Sequence, residues 1–249
     1  MKTCCFSLSR IKKAAASGSL FFLITLLLTS ALLKHGGMPS AQTKPHAVCK
    51  VITEKKAAAL TFDINWGSRV PGAVLDVLKK QDVKATFFVS GSWAGQYPET
   101  ARRITAEGHE IGNIGYPPID RAAMTKSTVK KELVKSGESI REATGSTAAL
   151  LRTPGGNGNG PVLAAASESG YTVIKWSVDS QDIQTPGKNS IISNVTGKVH
   201  PGAIILMNAC DTASETPGAL PAVIERLKSA GYELVTVSSL LELGPGVAD

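Results

Sequence analysis

From residue 57 onward, apolar runs of strand length alternate with segments of helical period almost without a break, which restricts the possible folds more than any other feature of the chain. Candidate strands span 57–63, 84–89, 109–112, 150–154, 172–179, 202–208 and 233–238. Between them, "VPGAVLDVLKKQ" puts Val70, Val74, Val77 and Leu78 on one helical face, and "LPAVIERLKSAG" does the same with Leu220, Val223, Ile224 and Leu227. Gly108, Gly145, Gly170 and Gly231 each follow a helical pattern, where a left-handed cap is needed. Repeated βα units build a parallel sheet. Seven of them predict a single α/β domain, a parallel (β/α)7-type barrel that is distorted or incompletely closed. Trp176 lies inside an apolar strand and reads as core. Functional residues of such a barrel gather where strands end, and those ends carry Asp63, Arg152, Asp179, Asp182 and Asn208.

The first 45 residues differ from everything that follows. They hold Lys2, Arg10, Lys12, Lys13, Lys34 and Lys44 and no acid, and the first four of these bases precede the apolar run "LFFLITLLLTSALL". With the small residues from Ala14 onward, that run makes a segment of about 20 residues, enough to span a bilayer. Residues 1–33 are therefore expected to be a signal peptide, cut after Ala31, or a membrane anchor that stays. Either way the basic flank keeps the N-terminus in the cytoplasm and the rest is exported. A polar linker over 34–56, a domain over 57–243 and a tail over 244–249 complete the expected organisation. The formal charge of +7 does not signal nucleic acid, because removing those six bases from 27 leaves 21 against 20 acids.

Cys49 and Cys210 fall on the exported side, where they form either one disulfide or two separate thiols. Of four histidines, only His109 and His200 lie in the domain, both just before strands, where structural roles are the ordinary ones. "GGNGNG", residues 155–160, lacks the register of a phosphate-binding loop and reads as a βα loop.

The set of strand ends resembles the polysaccharide deacetylases, the NodB-homology domain of carbohydrate esterase family 4, over residues 57–243. The family's opening motif, Thr-Phe-Asp-Asp-Gly, is read here as "TFDINWG", so the resemblance puts Asp63 at the catalytic base. The metal-ligand aspartate falls on Ile64 or, allowing for two extra residues, on Asn65. Both metal histidines of the second motif fall on "IGYPP", at Ile114 and Pro118. "RTPGG" keeps Arg152, Pro154 and Gly156 of the third motif, with Arg152 at the base-orienting arginine, and has Gly155 in place of tyrosine. "DSQDI" keeps Asp179 and Asp182 of the fourth, and "LMN" puts Asn208 where the acid histidine belongs, which deprives Asp182 of the imidazole it would orient. The resemblance also implies substrate contacts at Trp66, Tyr116, Asp179 and Leu206. The "FDxxWG" opening, the "GY" of the second motif and the tail "ALPAVIERLKSAGYELVTVSSLLELG" are most similar to the sporulation-associated subgroup.

Members of this family use a zinc-type divalent metal, which lowers the pKa of bound water from 15.7 to about 7. Ile64, Ile114 and Pro118 have no donor atom, and Asn65, Asn113 and Asn208 are poor zinc ligands by themselves. No cofactor is expected. Without a metal, a carboxylate of pKa about 3.9 faces water roughly twelve units less acidic, a gap of about 16 kcal/mol. Arg152 beside Asp63 is expected to widen that gap by lowering the carboxylate further. Two readings stay open for Asp63, Arg152 and Asp182: a satisfied charge cluster at the barrel mouth, or catalytic groups. Trp66 and Tyr116 are either sugar-stacking residues or ordinary loop packing. The implied ligand is N-acetylated cell-wall glycan, with membrane contact only through an uncut N-terminal segment, and the function is glycan binding with weak or no hydrolysis, or deacetylation by a rearranged site.

Overall fold

The computed structural model describes residues 46–116, 125–153 and 160–248. Expectations for residues 1–45, Pro118 and the loop from Pro154 through 159 lie outside the described residues.

Five parallel strands follow one another in space: β8 (Ala203–Asn208), β2 (Ala57–Ile64), β3 (Thr86–Ser90), β4 (Glu110–Gly115) and β5 (Leu150–Leu151). The segment 172–179 closes the curl only at its ends. Its first part, β6 (Thr172–Val173), pairs with β5, and its last, β7 (Val178–Asp179), pairs with β8. The sheet is thus a curled, open half-barrel, the distorted and incompletely closed barrel expected. The continuous strand expected over 172–179 is broken because one strand cannot follow two diverging neighbours along its whole length.

Helices pack outside the curl: α1 (Arg69–Gln81), α2 (Gly91–Gln96), α3 (Pro98–Ala106), α4 (Lys126–Thr144), α5 (Gly160–Glu168), α6 (Lys188–Thr196) and α7 (Thr216–Ser229). Alternation along β2 sends Leu60, Phe62 and Ile64 into the outer core, where Val74, Leu75 and Leu78 of α1 and Leu220, Val223 and Ile224 of α7 meet them. These are the helical faces read from the sequence, with Val77 at their partly buried margin. The four glycines expected to cap helices all have positive φ, from 74° to 84°.

The other face of β2 looks inward. Ala57 and Ala59 join Phe88, Ile114, Leu150, Ile174 and Ile204 in a second apolar cluster, which Trp176 partly covers as expected. Val237 and Leu240 belong to the same cluster and come from α8 (Val237–Leu241). A strand was expected through 238, but only β9 (Glu233–Val235) forms, against the first half of β2. Thr236 ends it, since its hydroxyl accepts from the Ser239 N–H and caps α8.

The sheet also reaches beyond the span 57–243. Val48, Cys49 and Val51 are buried, and β1 (Lys50–Val51) runs antiparallel to both β8 and β10 (Gly246–Val247). Parts of the expected linker and tail are therefore structural, in pieces too short to show a period. Cys210 is a free thiol 3.1 Å from the Thr212 hydroxyl, so the bridge to Cys49 is not formed. Among the described residues no helix is long and apolar enough to cross a membrane, and the run "LFFLITLLLTSALL" lies outside them.

Candidate active site

The alternation that buries Phe62 and Ile64 outside turns Thr61 and Asp63 inward at the end of β2. Arg152, the residue after β5, reaches them from across the curl. Its guanidinium is fully buried, 4.0 Å from the centre of the Phe88 ring and 5.6 Å from that of Trp176. Nη1 donates to Thr61 Oγ1 and to Asp63 Oδ1, each at 2.8 Å, and Nη2 donates to the Lys175 carbonyl at 3.1 Å. Thr61 completes the set by donating to the Ile205 carbonyl at 2.7 Å. Among the described residues, none accepts from the Nε of Arg152.

Burial pushes the Asp63 carboxyl above its ordinary range; the charge of Arg152 and its hydrogen bond oppose this, while Asp182 and Asp179 add to it. The expectation that Arg152 would leave Asp63 a weaker base is thereby corrected: loss of water outweighs the cation. Burial also pulls Arg152 down, against the charge and hydrogen bond of Asp63. A guanidinium starts so high that it stays charged.

Asp182 is not part of this pair. Fully buried, it accepts from the Asn208 N–H at 2.8 Å, from Asn208 Nδ2 at 2.7 Å and from the Thr216 hydroxyl at 2.6 Å. The single Asp63–Arg152–Asp182 cluster of the sequence reading is therefore two neighbouring groups. Asp182 has also kept a partner to orient, because the amide of Asn208 takes the place expected of an imidazole. Asn208 lies in register beside Asp63 on the adjacent strand. Leu206, two residues earlier, faces inward opposite Thr61 and Asp179, and the Asp179 carboxylate accepts from the Gln181 N–H at 2.8 Å.

The two aromatic candidates separate. Trp66 is 49% exposed on the loop after β2. That loop is pinned at Gly67, whose carbonyl accepts from Trp93 Nε1 at 2.6 Å, and at Asp211, which accepts from the Val70 N–H at 2.8 Å where α1 begins. At φ +80°, with Asp211 2.4 Å from where a Cβ would stand, only glycine fits position 67. Tyr116 packs against Gly91 and under Lys135 of α4, whose Nζ is 4.0 Å from the ring centre.

The residues at the expected metal positions do not fit a metal. Ile64 is in the outer core on the helix side of the sheet, so its alternative Asn65, which is exposed, is the one that stays near the mouth. Ile114 fills part of the inner apolar cluster. Among the described residues, no three His, Cys, Asp or Glu side chains converge as metal ligands. His109 and His200 are structural. His109 accepts from the Ala85 N–H at 3.3 Å and packs edge-on against Phe87, and burial pushes its pKa down to about 4; His200 bonds the Ser177 hydroxyl at 3.0 Å.

Sequence reading missed Thr61, Phe88, Asp211 and Thr216. The first had a signal, since period two from Asp63 puts Thr61 on the same face. The others come into contact only through the fold.

The family profile of polysaccharide deacetylases matches residues 50–174. The uncharacterised protein YlxY of Bacillus subtilis is 32% identical over 80% of this chain and 61% of its own length. A peptidoglycan-N-acetylglucosamine deacetylase of Listeria monocytogenes, PgdA, is 35% identical over 82% of this chain and 42% of its own. The chain thus spans less than two thirds of these relatives. Among solved structures, BA3943 of Bacillus anthracis, a pseudoenzyme of carbohydrate esterase family 4, superposes with a TM-score of 0.75 at 30% identity, over 80% of this chain and 70% of that one. The curled sheet, the Asp63–Arg152 pair at its mouth and these likenesses agree: the chain belongs to the polysaccharide deacetylase family.

Proposed function

We propose that this protein is an exported, cell-wall-associated relative of the deacetylases that binds N-acetylated glycan, of peptidoglycan or chitin type, with weak or no hydrolysis, in sporulation. One observation carries this reading. The groups that would bind and orient a substrate, Asp63, Arg152 and Asp182, keep ordered positions at the strand ends, while the described positions expected to hold a metal carry Ile114 and either Ile64 or Asn65. The N-terminal basic residues and apolar run support export, as a secreted or membrane-anchored protein. Likeness to a pseudoenzyme of the same family supports weak hydrolysis, and likeness to peptidoglycan deacetylases supports the choice of glycan.

A second reading, an active N-deacetylase with a rearranged site, is favoured by the raised Asp63 carboxyl, which is a better base than an exposed aspartate. Metal content of the dialysed protein, measured beside acetate release from N-acetylglucosamine oligomers and peptidoglycan, decides between them. The first reading expects far less than one metal per chain and acetate release that is at or near background and does not depend on metal. Stoichiometric metal that survives dialysis, with acetate release that its removal abolishes, would establish the second.

A further inference from the structure

We propose that the cleft prefers glycan carrying free amino groups, sugar from which the acetyl has already been removed, over the N-acetylated form. This rests on the glycan-binding reading above and ranks two forms of the glycan: both bind, the one with free amino groups more tightly.

The Asp182 carboxylate accepts from the Asn208 N–H and the Thr216 hydroxyl at Oδ2, and the Asn208 group 2.7 Å from its Oδ1 is the NH2. The Asn208 carbonyl oxygen is then turned away from Asp182. Where the family pattern calls for a proton-donating histidine, this chain offers an acceptor. Asp63 stands in register on the next strand, about 4.8 Å away by the ordinary spacing of a sheet. Arg152 occupies Asp63 Oδ1, and among the described residues none donates to Oδ2. Two acceptors thus stand side by side at the mouth.

An ammonium has three donors and no acceptor, which suits such a pair. The charges agree: Arg152 is the cation that acts on Asp63, while Asp182 and Asp179 are both carboxylates. An acetamide fits less well, because its carbonyl oxygen needs a donor. Beside the pair, Ile114 and Leu206 on the inner face have none and Arg152 is wholly buried; the exposed donors Asn65 and Trp66 stand apart, on the loop after β2.

The test compares the hexamer of glucosamine with that of N-acetylglucosamine, by calorimetry at a pH where the amines are protonated, with hexalysine as a cation of matched charge. The expected result is at least ten-fold tighter binding of the glucosamine hexamer than of either comparison. Asp63→Asn should lose that preference, and Asn208→Leu, which keeps the Asp63–Arg152 pair, should weaken glucosamine binding several-fold. Cooperative unfolding of each variant checks that it folds. Equal or tighter binding of the N-acetylated hexamer, or retention of the preference in both variants, overturns the amine preference and leaves glycan binding standing. Hexalysine binding as tightly as glucosamine also overturns it, since charge alone would then suffice. If neither sugar binds, both readings fall.

Discussion

Asp63 and Arg152 share an ion pair unequally: the arginine side chain is 0% exposed and the aspartate 25%. Asp63→Asn strands a wholly buried guanidinium on neutral acceptors, whereas Arg152→Ala leaves a carboxylate that water reaches but opens a cavity beside Phe88 and Trp176. Both should be costly, about 2–3 kcal/mol for Asp63→Asn and about 3–5 for Arg152→Ala, measured by urea melts. Near-zero changes in both would mean a solvated pair with no structural role. His109 makes a pH prediction. Its folded pKa near 4 lies below the ordinary 6.5, so between these values the unfolded chain binds a proton that the folded chain refuses. Stability should therefore be full above pH about 6.5 and fall by up to about 3 kcal/mol toward pH 4. Asp63, raised in the folded state, acts with the opposite sign, so the decline is read as the difference from His109→Asn, which should flatten it. A variant with an unchanged slope would show that His109 is not the group responsible. At this scale the motif residues were legible because their order along the chain is the family's own. The separation of Asp182 from Arg152 was not, since it depends on Thr216 arriving from another helix.

Strand β2 and the helix α1 that follows it were readable because eight strand residues and thirteen helical ones are enough to display a period. β5, β6 and β7 have two residues each, and their limits depend on neighbouring strands rather than on any pattern of their own. The turn Asp182–Gln184 shows what tertiary contacts impose locally. Gln181 and Thr185 flank it with φ of 58° and 48°, and for a β-branched residue such as Thr185 the left-handed region is strained. The buried hydrogen bonds of Asp182 hold the turn in place. Thr185→Gly should remove strain while keeping the turn, raising stability by about 1 kcal/mol with binding unchanged. Loss of stability, by thermal or urea melting, would show that the threonine side chain makes a contact worth more than the strain.

For the whole domain, the boundaries were the least legible part, because a strand of two residues carries no period and β1 and β10 are recognisable only by what they cover. Val48 and Val51 lie in the inner apolar cluster, and Gly246 packs against Val48. Gly202 is where β1 meets β8: its φ is +75°, its carbonyl accepts from the Val51 N–H at 2.9 Å, and a Cβ there would stand 1.9 Å from the Val51 carbonyl oxygen. Gly202→Ala therefore cannot be accommodated without lifting β1 off the sheet. A chain beginning at His46 should unfold cooperatively, while one beginning at residue 57 exposes the inner cluster and should lose several kcal/mol, about 2 or more for each buried valine removed. Gly202→Ala in the longer chain should reproduce much of that loss by displacing the same strand, and adding it to the shorter chain should cost far less, since the clash is already gone. Urea melts of these four proteins form a cycle. If Gly202→Ala is equally costly in both lengths, its effect is local strain at the turn, and the interior of the half-barrel does not depend on the segment before residue 57.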